Sequence, residues 1–386
     1  MKKWKRNSLA IVLSCLSVAM TACGGAGETR EENGQEQGTA PKQQEEQAKS
    51  SSGQDSQSSA ADKAGSASGQ DAELSAAVDS MKSVTLKFGT NQAAGSPALD
   101  GCNYWADLVA EKTDGKIKIE VYESNTLGSQ ADMLDGLKMG TIDISYNSPA
   151  TMSAAVPSVA ILDLPYIFQS REHAYKVLDG EIGREIFKKA EEQEGYYVLA
   201  SFEGGFRQSI NSVHTIADLA GYSKLKFRVP ESKVYLGLYE KLGAIPTAMA
   251  MGELFTALQN GTVDGMESPI ATIASNRYYE AAKYLTIDNH IYAANPILIS
   301  KKTLDQFPDP VRQMLYDTCR EACEWERVRS AEEEDKLIEE MKAAGVEVTE
   351  LSDDALQEII KSVKPMWDDF AGTVGADMIE KVAGAN

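Results

Sequence analysis

Strand-like and helix-like stretches alternate along most of this chain, and one unit of that alternation occurs twice. Leu137-Lys138-Met139-Gly140-Thr141-Ile142-Asp143 is echoed by Leu258-Gln259-Asn260-Gly261-Thr262-Val263-Asp264, and a proline follows each, Pro149 and Pro269. Glycine closes a helix because it tolerates the left-handed conformation of the C-terminal cap. The apolar β-branched residue that follows then opens a buried strand. Around the first copy, Val84–Phe88, Ile117–Tyr122 and Ile142–Tyr146 read as strands, and Leu99–Thr113 and Ser129–Met139 as helices. Such alternation predicts an α/β sheet. The wide separation of the two copies predicts two lobes of similar make, a two-lobed clamshell with a cleft between them.

The C-terminal part breaks the pattern. Asp309 to Met341 is a charged helical stretch, introduced by Pro308 and Pro310 and ended by Gly345. A helix of about 33 residues is roughly 50 Å long at 1.5 Å per residue, enough to span both lobes. A coiled-coil dimer is the rival reading, but no sustained apolar heptad seam is present. An amphipathic helix is expected from Ser352 toward Phe370.

The N-terminus reads as a targeting segment. Lys2, Lys3, Lys5 and Arg6 precede an apolar run from Leu9 to Ala19, then Met20-Thr21-Ala22-Cys23. That order is a secretory signal over residues 1–22, and the run is too short to span a bilayer of ~30 Å. Small residues directly before Cys23 resemble the bacterial lipobox, which implies cleavage there and lipidation of the thiol. From Gly24 to about Asp71 the chain is Gly, Ser, Gln, Glu and Ala, too poor in apolar residues to offset its ordering entropy. Residues 23–80 are read as a lipidated flexible tether, with ordered sequence beginning near Met81.

Charge and chemistry narrow the function. A net charge of −20 argues against nucleic acid and anionic membrane surfaces as partners. Three histidines, His173, His214 and His290, lie in no metal-ligand spacing, and no nucleophile elbow, Walker loop or dinucleotide fingerprint is present. Cys319 and Cys323, four apart, could share a metal, but without a neighbouring histidine they read as two packed thiols. These absences shift the expectation from turnover to binding, with no cofactor and no metal.

Arg228 stands out. In Lys224-Leu225-Lys226-Phe227-Arg228-Val229-Pro230 the alternation of Leu225, Phe227 and Val229 marks the core face of a strand that Pro230 ends. Ligands of open α/β sheets bind outside the carboxyl ends of strands, and a guanidinium there can grip a carboxylate through two parallel hydrogen bonds. The alternative is a solvated strand-edge arginine. Gly204-Gly205-Phe206-Arg207 offers a second arginine after a turn, with a plain surface turn as its alternative.

Ordered pieces from Phe88 to Pro296 resemble the solute-binding subunit of TRAP transporters, the tripartite ATP-independent systems of the dicarboxylate and sialic-acid type. They include Phe88-Gly89-Thr90-Asn91, Asn125-Thr126-Leu127-Gly128, Leu162-Asp163-Leu164-Pro165-Tyr166-Ile167-Phe168, Leu225–Pro230 and Glu267-Ser268-Pro269. The resemblance implies that Arg228 clamps a substrate carboxylate, helped by Arg207. It further implies that Asn91, Tyr146, Asn147 and His290 reach the ligand, with Ser268 and Met251 at positions where the family usually has asparagine and an aromatic. Met251 has ordinary core packing as its alternative. The expected function follows: a non-enzymatic extracytoplasmic receptor for a small organic acid, tethered to the cell membrane through lipid at Cys23, which delivers cargo to TRAP membrane subunits. A sensory binding protein and a secreted enzyme using the same cleft are the alternatives. The expected lobes are residues 81–206 with about 294–335, and 207–293 with about 336–386.

Overall fold

The computed structural model describes residues 58–385, with side chains described from residue 69. The signal segment 1–22, Cys23 and the tether up to residue 57 lie outside the described residues.

Among the described residues a nine-stranded mixed sheet carries the architecture. Its strands are β1 (Val84–Gly89), β2 (Ile117–Tyr122), β3 (Ile144–Tyr146), β4 (Tyr196–Asn211), β5 (Lys226–Val229), β6 (Ile245–Ala248), β7 (Gly265–Pro269), β8 (Tyr284–Ser300) and β9 (Glu347–Glu350). They lie in the order β2-β1-β3-β8-β4-β7-β5-β6, with β9 beside β8. Helices before the long one are α1 (Ser58–Ser80), α2 (Pro97–Lys112), α3 (Gln130–Met139), α4 (Pro149–Met152), α5 (Arg171–Asp179) and α6 (Glu181–Glu194). There follow α7 (Lys233–Lys241), α8 (Met251–Gln259), α9 (Ile270–Ser275) and α10 (Lys301–Leu304). The long helix is α11 (Asp309–Ala343), and α12 (Asp353–Val363), α13 (Met366–Val374) and α14 (Ala376–Ala383) end the chain.

The repeated unit has the same structural task at both sites. At one end of the sheet β2-β1-β3 are parallel, and at the other β6-β5-β7 are parallel. Helix α3 ends at Gly140 with φ +76°, and the chain leaves α8 through Gly261 with φ +72°, a backbone region that a side chain would strain. The aspartate that ends each unit then ties the incoming strand to the central one. Asp143 Oδ2 accepts from Lys87 N of β1 at 2.9 Å, and Asp264 Oδ2 accepts from Lys226 N of β5 at 2.8 Å. The sequence echo is thus a structural one, which makes the lobes similar.

Strands β4 and β8 join the two parallel ends. They pair antiparallel from Tyr196 opposite Ser300 to Asn211 opposite Tyr284, and β8 borders β3 while β4 borders β7. At about 3.3 Å per residue these strands run roughly 50 Å. Their register breaks between Glu203 and Phe206, where Gly204 and Gly205 intervene. A Cβ on Gly204 would sit 2.7 Å from Ala293 Cβ, so only glycine fits this close approach. Helix α11 spans the break: it packs on α2 and β4 near one end and on α9 near the other. Trp105 Nε1 donates to Thr318 Oγ1 at 3.0 Å, Glu326 Oε2 accepts from Glu203 N at 2.9 Å, and Arg171 joins Glu203 (2.6 Å) to Glu334. The fold is the expected α/β clamshell with a long helix across both lobes.

Two expectations change. The tether does not reach residue 80: α1 is helical to Ser80, and Leu74, Ala77 and Val78 pack on the core of Leu86, Trp105 and Ile117. An apolar triplet inside a polar stretch finds its partner only in three dimensions. The helix expected from Ser352 to Phe370 is divided at Lys364–Pro365 into α12 and α13, because proline lacks the amide that would continue the ladder. Cys102, Cys319 and Cys323 are buried free thiols in one apolar cluster, as packed thiols should be.

Candidate functional site

All four strands β1, β3, β5 and β7 point their carboxyl ends at one cavity of about 310 Å³ between the lobes. One lobe contributes Asn91 after β1, Tyr146 at the end of β3, and the first turns of α3 and α4. The other contributes Arg228, Pro230, the start of α8, and Ser268 with Pro269 at the end of β7. Asn91 Nδ2 meets Met251 Sδ at 3.5 Å, so the two lobes touch across the cavity.

Arg228 is no solvated edge residue. It is 3% exposed, because β5 lies between β6 and β7 and its second face forms the cavity floor. Its Nε and Nη2 donate to Met249 O at 2.9 and 2.6 Å, and its Nη1 is buried with no hydrogen-bond partner among the described residues. Burial holds its pKa below the ordinary arginine value, the signature of a cation whose water has been removed without a full replacement. Met249 stands two residues before α8, whose first turn has no side-chain cap. The guanidinium and the positive end of the α8 dipole therefore act on the same space.

Arg207 also lines the cavity, but its charge is matched. Its Nε and Nη2 grip both oxygens of Glu267, the latter at 2.8 Å, and the guanidinium lies 5.1 Å from the centre of the Tyr235 ring. Burial alone would raise the Glu267 carboxyl, yet Arg207 pulls it below the usual range. His290 sits behind this pair. Its Nε2 is 3.2 Å from Glu267 Oε2 and its Nδ1 2.9 Å from Asp288 Oδ1. Burial disfavours its charge, but Asp288 and then Glu267 outweigh that and push it up to about 9. Asp288 Oδ2 accepts from Ser209 Oγ and Tyr222 Oη, both at 2.6 Å.

Tyr146, Ser268, Met251 and Asn91 are brought together with the two arginines. Ser268 Oγ, like Arg228 Nη1, is buried without a partner among the described residues. Two expected residues do not line the cavity. His290 is enclosed by carboxylates one layer down. Asn147 is fully buried, with Nδ2 donating to Gln130 O at 3.1 Å and Oδ1 accepting from Ser148 N at 3.0 Å. It orders the α3 and α4 starts instead. Side chains alternate along an extended segment, so the neighbour of an inward Tyr146 points away. Sequence reading missed Glu267 as the partner of Arg207, and missed Asn125, Gln130, Thr151 and Asn295 on the walls. The usable signal was the pair of N-cap serines, Ser129 and Ser148, whose helices open where β2 and β3 have ended.

This arrangement matches a known family. The model of the bacterial extracellular solute-binding proteins, family 7, matches residues 88–373. The 2,3-diketo-L-gulonate-binding periplasmic protein YiaO of Escherichia coli is 32% identical over 309 residues, covering 78% of this chain and 92% of that one. The sugar acid binding protein DctPAm of Advenella mimigardefordensis, solved with galactonate, superposes with a TM-score of 0.77 at 30% identity, covering 79% of this chain and 98% of that one. A TRAP periplasmic solute binding protein from Polaromonas sp. JS666, bound to D-erythronate, gives 0.74 at 32% identity, over 78% and 98%. Sequence match, shared fold and matched length agree: the chain belongs to family 7 of the bacterial extracellular solute-binding proteins, the solute receptors of TRAP transporters rather than enzymes.

Proposed function

We propose that this chain binds a small organic acid in the cleft, seats its carboxylate against Arg228, and delivers it to TRAP membrane subunits. The observation that carries the reading is the buried Arg228 guanidinium, whose Nη1 lacks a partner beside the uncapped start of α8. A buried cation needs an anion, and a carboxylate supplies it with bidentate geometry. The relatives' acids, a diketogulonate, galactonate and erythronate, are of that class. Arg207, held by Glu267, offers one edge of a fixed guanidinium for an oxygen of the same ligand. Asn91, Tyr146 and Ser268 orient its remaining polar groups, and Met251 covers it. The lobes, residues 81–206 with about 294–335 and 207–293 with about 336–386, close about the register break at Gly204–Gly205.

A thermal-shift screen tests this reading. At about 100 times its dissociation constant, a ligand adds roughly 2.7 kcal/mol to folded-state stability. Organic acids are expected to raise the melting temperature. A library in which only neutral sugars or amines do so would reject the carboxylate seat.

The anchor completes the proposal. A basic start, an apolar run and Thr21-Ala22-Cys23 support cleavage before Cys23 and lipidation of its thiol. Lipid chains contribute about 0.8 kcal/mol per buried methylene, enough to hold the receptor at a membrane. Cys23→Ala is expected to release it into the soluble fraction, and an intact mass without lipid on the wild-type protein would refute the anchor.

A further inference from the structure

Charge in the cleft is unevenly distributed. Among the described residues two cations line it, Arg207 and Arg228. Glu267 neutralises the first through a two-pronged contact, so one guanidinium remains for an anionic ligand. The other charged side chains lining the cavity are both acidic, Glu231 and Glu253. Both are exposed, and neither has an ion pair among the described residues. Glu231 follows Pro230 at the end of β5, and Glu253 lies in the first turn of α8. The acids thus flank the carboxylate seat from the two segments that build it. A ligand with one carboxylate satisfies Arg228. A second carboxylate would meet no free cation among the described lining residues and would add to the negative charge that Glu231 and Glu253 already place in the cleft. Closure strips water from such a pair and strengthens the repulsion.

The remaining lining is polar and neutral. Asn91, Asn125, Gln130, Thr151, Ser268 and Asn295 ring the space. Ser268 Oγ is buried and unpartnered, and Asn91 Nδ2 has only the thioether of Met251, a weak acceptor. Unmet donors and acceptors of this kind reject an alkyl chain and accept hydroxyls, because an apolar ligand would leave them buried and unpaired.

We infer that the cleft is specific for a hydroxylated monocarboxylate, of the aldonate or uronate kind, and that Glu231 and Glu253 are the residues that exclude dicarboxylates. This inference rests on the carboxylate seat at Arg228 proposed above. It adds a sign to the surroundings of the seat, which the seat alone does not specify.

Matched acids separate the two claims. Galactonate and galactarate, gluconate and glucarate, and erythronate and meso-tartrate each differ only by a second carboxylate in place of a terminal hydroxymethyl group. Calorimetric titration of the protein with all six is expected to show binding of at least one monoacid and at least tenfold weaker binding of its diacid. The Glu231→Gln, Glu253→Gln double variant is expected to narrow that gap at least fivefold, chiefly by improving the diacid. Both glutamates are exposed, so folding should survive, which circular dichroism checks. A diacid bound as tightly as its monoacid overturns the inference, as does a gap unchanged in the double variant. Butyrate or hexanoate binding as well as the aldonates removes the hydroxyl requirement. Binding of diacids that is lost in Arg228→Lys would overturn this inference and leave the carboxylate seat standing. Failure of every carboxylate, with neutral sugars bound instead, would bring down both.

Discussion

Arg228→Lys is expected to weaken ligand binding by about 30-fold to several thousand-fold while leaving the fold intact. Removing one partner of a desolvated charge pair costs about 2–5 kcal/mol, at 1.4 kcal/mol per decade of affinity. Lysine keeps the charge but presents a point ammonium in place of a planar fork. In the structure two arginine nitrogens are fixed on Met249 O, which leaves Nη1 aimed by geometry and not by ligand. A lysine ammonium that satisfies Met249 O would have no second rigid donor to direct at a carboxylate. Arg207→Lys is expected to cost less affinity, because Glu267 already absorbs its charge. Titration of both variants with the acid found by thermal shift checks the order. Near wild-type affinity in Arg228→Lys, with an unchanged circular dichroism spectrum, would show that the carboxylate sits elsewhere.

Glu267→Gln is expected to destabilise the protein by about 3–5 kcal/mol, the usual cost of leaving a buried partner charge unmatched. Its carboxylate is fully buried, grips Arg207 and receives His290. The same network predicts two pH limbs. Glu267 is held below its ordinary pKa, so its contribution is present above about 4.5 and is lost as the pH falls through the depressed value. His290 is pushed up to about 9 against 6.5, so its contribution is complete below about 6.5 and fades as the pH rises toward 9. That interval corresponds to roughly 3 kcal/mol at 1.36 kcal/mol per pH decade. Asp163, raised to about 7 chiefly by burial, favours its protonated form, so its contribution declines between about 3.8 and 7. Denaturant titrations from pH 5 to 9 are expected to show an alkaline decline that His290→Gln flattens. A decline of equal slope in that variant would mean that His290 is not the titrating group.

How far the site could be read from the sequence follows from what fixes each residue. Asn91, Tyr146 and Ser268 were expected only from the resemblance to TRAP solute-binding subunits, whereas Arg228 was legible because its strand and the terminating Pro230 are local features and ligands of such sheets gather at the carboxyl ends of strands. His290 and Glu267 were not, since the relation between them is made by the pairing of β4 with both β7 and β8. A histidine near a cleft reads the same in sequence whether it faces ligand or two carboxylates.

By itself the sequence determined the class of the fold, its two similar halves and its long helix. Helix periodicity, glycine caps and strand alternation are set by neighbours in the chain, and the twofold Gly-Thr-Ile/Val-Asp unit carries the same backbone requirement to both sites. Tertiary structure alone decided which charges remain free. Arg207 and Arg228 look alike as strand residues, but long-range pairing gives one of them Glu267, 60 positions away, and gives the other only a backbone carbonyl. It also decided that α1 docks, because Leu74, Ala77 and Val78 are too few to order a helix until the core of Leu86, Trp105 and Ile117 receives them. Burial makes the difference in both cases: it fixes the Arg207–Glu267 pair and leaves Arg228 a desolvated cation, and it gives the apolar residues of α1 the partner that orders them.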